Sequence, residues 1–195
     1  MQLHEVAIGL LSGVVILFSQ IIYIQYTWKK RIRPSLLTWI GWALLMGVSL
    51  FSQIRNEGWQ WSMCGHFLST FGCAAIALAG YLRQHYSLLK TDWMYLFFGM
   101  ACLVLYLASK DPWLTTFFAI AADLILGIPT LRKAYLYPAT ERSPAWLLGF
   151  ICWSLALTIC IGHSLLFALF PIYLFLFNGT MVWLTRGKLL SERQT

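Results

Sequence analysis

The chain has 195 residues, a formal net charge of +7, 59% hydrophobic and only 11% charged residues, and a mean hydropathy of +0.70. A soluble domain carries about 25% charged residues, so this chain lacks the polar shell that a water-facing globule or a disordered segment needs. That excludes a conventional soluble enzyme and leaves an all-α polytopic membrane protein, a single transmembrane domain over residues 1–195.

A membrane-crossing helix needs about 20 mostly apolar residues. Seven stretches qualify: 5–28, 35–53, 59–82, 93–109, 113–131, 144–163 and 164–185. The first reads as a span rather than a cleavable leader, because it is long, has no basic start, and its positive cluster follows it. The last two are separated by a tight turn near Gly162-His163. The loops after spans one, three and five and the C-terminal tail hold Lys29, Lys30, Arg31, Arg33, Arg83, Lys90, Arg132, Lys133, Arg142, Arg186, Lys188 and Arg193. The other side holds Arg55 and Lys110. Positive residues stay cytoplasmic. The N-terminus is therefore expected outside and the C-terminus in the cytoplasm, which an odd number of spans allows. Trp28, Trp59, Trp61, Trp93, Trp113 and Trp183 lie near span ends, where interfacial tryptophan belongs. The basic loops serve topology, so no nucleic-acid partner is expected; the bilayer is the partner. Cys64, Cys73, Cys102, Cys152 and Cys160 all fall in apolar segments without metal spacing and read as small buried hydrophobes.

The chain also overlays on itself. An offset of 110 sets Ser19-Gln20-Ile21 on Pro129-Thr130-Leu131 and Pro34 on Pro144. One further residue of slip sets Trp42 on Trp153 and Leu44 on Leu155. Each half reads as a span, a basic loop, a proline opening the next span, and a tryptophan one to two turns in. Proline suits a first helical turn, where no N–H partner is needed. The expectation is two parallel three-helix repeats, about 5–82 and about 113–185, joined by a linker helix at about 93–109.

This 3+1+3 layout resembles the PQ-loop/SWEET superfamily. Members carry a Pro-Gln dipeptide near the cytoplasmic ends of helices one and five; here Ser19-Gln20 and Pro129-Thr130 each keep half of it. The run from Asp123 to Lys133, followed by Pro138 and Glu141, is similar to a group of uncharacterised bacterial membrane proteins. The resemblance implies an inner-membrane transporter. It also matches Trp42 and Trp153 to the family's tryptophan pair, and Asn178 and His66 to its asparagine pair, with histidine departing from the pattern. Two aromatic faces and two polar side chains would clamp and orient a small polar molecule.

Among the acids, Asp123 is the one inside a span; Glu5, Glu57, Asp92, Asp111, Glu141 and Glu192 lie at span ends or in loops. A carboxylate in lipid is costly unless paired, hydrated or protonated. Asp123 therefore reads either as a proton or cation site or as a protonated acid bonded to a neighbouring helix. Pro129 frees a backbone carbonyl and is a candidate hinge, as is Pro171. Gln20, Gln25, Tyr23 and Tyr26 are polar groups of helix one that either line a cavity or bond between helices.

No phosphate loop, HExxH motif or mid-span lysine is present, so neither cofactor, metal nor enzymatic activity is expected. Three readings follow. The first is a small secondary carrier or facilitator, with Asp123 coupling protons. The second is a receptor or assembly protein of the same fold. The third is an intramembrane lipid enzyme using Asp123 and His66 as an acid/base pair, which requires them about 3 Å apart or bridged by one water. The chain is large enough to act as a monomer, with a homo-oligomer as the alternative.

Overall fold

The computed structural model describes residues 3–57, 64–161 and 164–187. Among them are seven α-helices: α1 (Leu3–Trp28), α2 (Leu36–Glu57), α3 (Cys64–Leu82), α4 (Lys90–Ala108), α5 (Pro112–Leu136), α6 (Ala145–Ile159) and α7 (Leu165–Val182). A 3₁₀ turn (Pro138–Glu141) follows α5, and a π-helical turn (Trp183–Gly187) closes α7. The turn at Gly162-His163, Trp59, Trp61, Lys188, Glu192 and Arg193 lie outside the described residues.

Sequence chemistry sets the helix ends. Asp111 caps α5, its carboxylate accepting from Leu114 N at 2.9 Å, with Pro112 in the first turn. Ser164 caps α7 through Phe167 N. Asp92, in the first turn of α4, accepts from Leu89 N at 3.0 Å. It is buried, although its position at a span end suggests exposure. Helices α1 and α3 both end on a left-handed residue, Lys30 (φ 55°) and Gln84 (φ 48°). There Arg31 N reaches back to Tyr26 O and His85 N to Gly80 O, bonding carbonyls that the helices leave free.

Five helices are long and apolar enough to cross a membrane, which is the build of an integral membrane protein. One of the seven expected spans is shorter than the others: α6 runs only from Ala145 to Ile159. At 15 residues α6 is about 22 Å long, against a hydrocarbon core of about 30 Å. Helix α5 is longer than expected: it continues through Pro129 to Leu136, so the proline lies inside the helix rather than at its end.

In the packing, α3 sits against both α1 and α2, and α7 against both α5 and α6. Helix α1 meets α6, α2 meets α5, and α4 rests on α5 and α2. The loops 29–35, 83–89 and 137–143 converge at one end: Arg33 N bonds Thr140 O at 2.8 Å, and Ser87 N bonds Pro34 O at 2.8 Å. This is the basic end. Trp28, Trp93, Trp113 and Trp183 are exposed near helix termini, whereas Trp39, Trp42 and Trp146 belong to the core.

Candidate functional site

Two adjoining chambers run through the bundle. The wide one, about 430 Å³, occupies the half away from the basic end. Its walls include Ser12 of α1, Ser49 of α2, His66 of α3, Tyr106 of α4, Thr115 and Thr116 of α5, and Trp153 of α6. The narrow one, about 80 Å³, lies nearer the basic end and is lined by Gln20, Tyr23, Trp39, Trp42, Cys73, Asp123, Trp146, Trp153, Phe177 and Asn178, among others. Ile16, Met46, Ser69 and Trp153 border both.

Asp123 is at the centre of the narrow chamber's polar geometry. It is 1% exposed. Its Oδ2 accepts from the Tyr173 hydroxyl at 2.7 Å, and its backbone carbonyl accepts from Trp42 Nε1 at 3.1 Å. Trp42 reaches that carbonyl because residue 127, one turn on, is glycine. A Cβ on Gly127 would stand 2.8 Å from Phe177 and 3.1 Å from Trp42. Trp42 meets Phe177 edge-on at 5.5 Å and Trp39 edge-on at 5.1 Å. Asn178 donates Nδ2 to Leu174 O at 2.8 Å, and its amide lies where Gly149 has no side chain.

Five of the residues singled out from sequence thus meet at one place: Trp42, Trp153, Asn178 and Asp123 around the chamber, and Pro129 buried a turn and a half beyond Asp123 on α5. His66 does not join them. It lines the wide chamber, its Nε2 has no hydrogen-bond partner, and no hydrogen bond links it to Asp123. Cys73 of α3 lines the narrow chamber in its place. Gln20 also lines it, donating Nε2 to Ser69 O at 3.2 Å, whereas Gln25 is exposed and borders neither chamber.

Sequence reasoning missed the floor beneath this chamber. Glu141, placed by sequence in a loop, is 0% exposed. Its Oε2 accepts from the Tyr23 hydroxyl at 2.5 Å, its Oε1 pairs with Lys133 Nζ at 2.6 Å, and its carbonyl accepts from Trp146 Nε1 at 3.1 Å. Lys133 also donates to Arg33 O and to Ser87 Oγ. Tyr23, Trp39 and Trp146 pack their rings together above this network. Helices α1 and α5, the 3₁₀ turn and two loops are thereby tied into one plug. Just outside it, partial burial first, and then the Arg33 and Lys30 charges, hold His85 below the usual histidine range. A signal for the aromatic floor was available. Trp39 lies three residues before Trp42, and Trp146 seven before Trp153, spacings that put each pair on one helix face.

No protein-family model matches the chain, and no curated protein or solved structure matches it either. The arrangement itself supplies two adjoining, largely apolar chambers within the bundle, one carboxylate among aromatic rings, and a closed basic end.

Proposed function

We propose that the protein is a small secondary carrier or facilitator of a small polar metabolite, of the PQ-loop/SWEET type. It would reside in a bacterial inner membrane with its N-terminus outside and its basic end in the cytoplasm. The observation that carries this reading is the pair of joined chambers, which narrow to Asp123 and stop at the Tyr23–Glu141–Lys133 plug. Such a cavity suits a substrate site between two gates.

The helix pairing supports the repeat. Exchanging α1, α2 and α3 for α5, α6 and α7 turns the α1–α6 contact into the α5–α2 contact and leaves α4 over as the linker. Asp123 couples protons in this reading, and Pro129 lets the last part of α5 swing. Trp42, Trp153 and Asn178 hold the substrate; His66 lines the approach to it.

The experiment is a ligand screen. The detergent-purified protein is melted against sugars, amino acids, vitamins, amines and organic acids at acidic and neutral pH, beside Asp123→Asn. A solute at 100 times its Kd is expected to stabilise the folded state by about 2.7 kcal/mol, and the shift is expected to shrink in the variant. A panel without any stabilising solute, with Asp123→Asn as stable as wild type, would move the account to a receptor or assembly protein.

A further inference from the structure

We propose that the narrow chamber selects a small protonated amine. This deepens the carrier reading and rests on the same chamber. The first observation is charge. Among the residues lining the chamber Asp123 is the one carboxylate, and none is Lys, Arg or His. The nearest lysine toward the basic end, Lys133, is held by Glu141 below the aromatic floor. Asp123 receives a hydrogen bond from Tyr173, but a hydroxyl brings no countercharge. A carboxylate inside an apolar bundle is either protonated or paired. An anionic solute is repelled by it, a neutral one is accepted only beside the protonated acid, and a cation pairs with the ionised one.

The second observation is hydrogen-bond polarity. Gln20 is 7% exposed and spends its Nε2 on Ser69 O, while its Oε1 is buried without a partner. Asn178 likewise directs Nδ2 to its own helix. The chamber's lining therefore holds one unfilled acceptor, Gln20 Oε1, beside one unfilled donor, Trp39 Nε1, and an ammonium group, a pure donor, fills the first.

The third observation is the walls. Trp42, Trp146, Trp153 and Phe177 surround the same space, and aromatic faces attract cations. Size limits the ligand. A volume of about 80 Å³, at about 10–15 Å³ for each water-sized group, admits an amine of about half a dozen heavy atoms.

The test is calorimetric titration of the detergent-purified protein with butylammonium, butan-1-ol and butyrate at matched ionic strength. Butylammonium is expected to bind saturably and at least about tenfold more tightly than the other two, as a charge-assisted pair requires. Asp123→Asn is expected to bring amine and alcohol to parity. Trp153→Leu leaves the Asp123–Tyr173 bond in place and is expected to weaken the amine severalfold more than the alcohol. Amine binding that is absent, equal to that of the alcohol, or unchanged in Asp123→Asn overturns the inference. Flux in proteoliposomes separates it from the carrier reading. Flux of a neutral solute without amine preference removes the cation and keeps the carrier; Asp123-dependent amine binding without flux of any solute keeps the cation and removes the carrier.

Discussion

At the basic end, three loops and the 3₁₀ turn are stitched together by backbone bonds, a buried ion pair and packed aromatic rings. At the opposite end, the helices surround a chamber of about 430 Å³. There most hydroxyls bond within their own helices: Thr115 to Asp111 O, Thr116 to Pro112 O, Ser154 to Phe150 O. Cross-helix bonds at that end are weak: Tyr106 reaches Ser49 Oγ only at 3.5 Å, and Cys152 offers Ser12 O a thiol, a poor donor. The contrast teaches where the closing interactions are concentrated. A carrier with this build meets its substrate from the wide chamber and must break the plug to release it at the basic end.

Substitutions at the two ends sharpen the contrast, beginning with the plug. Glu141→Ala strands the Lys133 ammonium and the Tyr23 hydroxyl in a closed site. The expected loss is about 3–5 kcal/mol, the range for removing one partner of a buried pair, read by thermal unfolding in detergent. Adding Lys133→Met to that variant is expected to recover much of it. A loss for Glu141→Ala below about 1 kcal/mol would mean that the plug is ordinary surface electrostatics.

The middle of the bundle should respond less. A Gly127→Ala methyl would meet Phe177 at 2.8 Å and Trp42 at 3.1 Å, and overpacking of this kind costs about 1–3 kcal/mol. Trp42 would also be pushed from the Asp123 carbonyl, so ligand affinity should fall with stability. A Gly127→Ala variant that melts like wild type would show that the rings yield freely. The smallest effect belongs to the wide chamber. Thr115→Val removes a hydroxyl bonded within its own helix, and its melting point should correspond to a change within about 0.5 kcal/mol. A larger loss there would erase the distinction between the two ends.

The helices were readable because apolar runs of span length have few alternatives. Asp123 was readable for the same reason, as a charge inside such a run. The path of α5 beyond Pro129 was not, because a proline marks a helix end as often as a kink, and only packing decides. Glu141 was hidden by its neighbours: an acid after Pro138 and before Arg142 looks like a solvent loop. Its burial depends on Tyr23, 118 residues away, and on Lys133 across the turn. His66, read beside Asn178 from sequence, lines the wide chamber while Asn178 lines the narrow one, because an offset along the chain does not fix depth in the bundle.

The central claim is that solute crosses the membrane by way of the narrow chamber. The most direct measurement is uptake of the screen's best-stabilising solute into proteoliposomes, compared among wild type, Asp123→Asn and empty vesicles. The account expects saturable wild-type uptake well above that of empty vesicles, with Asp123→Asn lower by about tenfold or more, about 1.4 kcal/mol in the barrier. Uptake no faster than in empty vesicles, from a protein that still binds the solute, would contradict it and leave a receptor in its place.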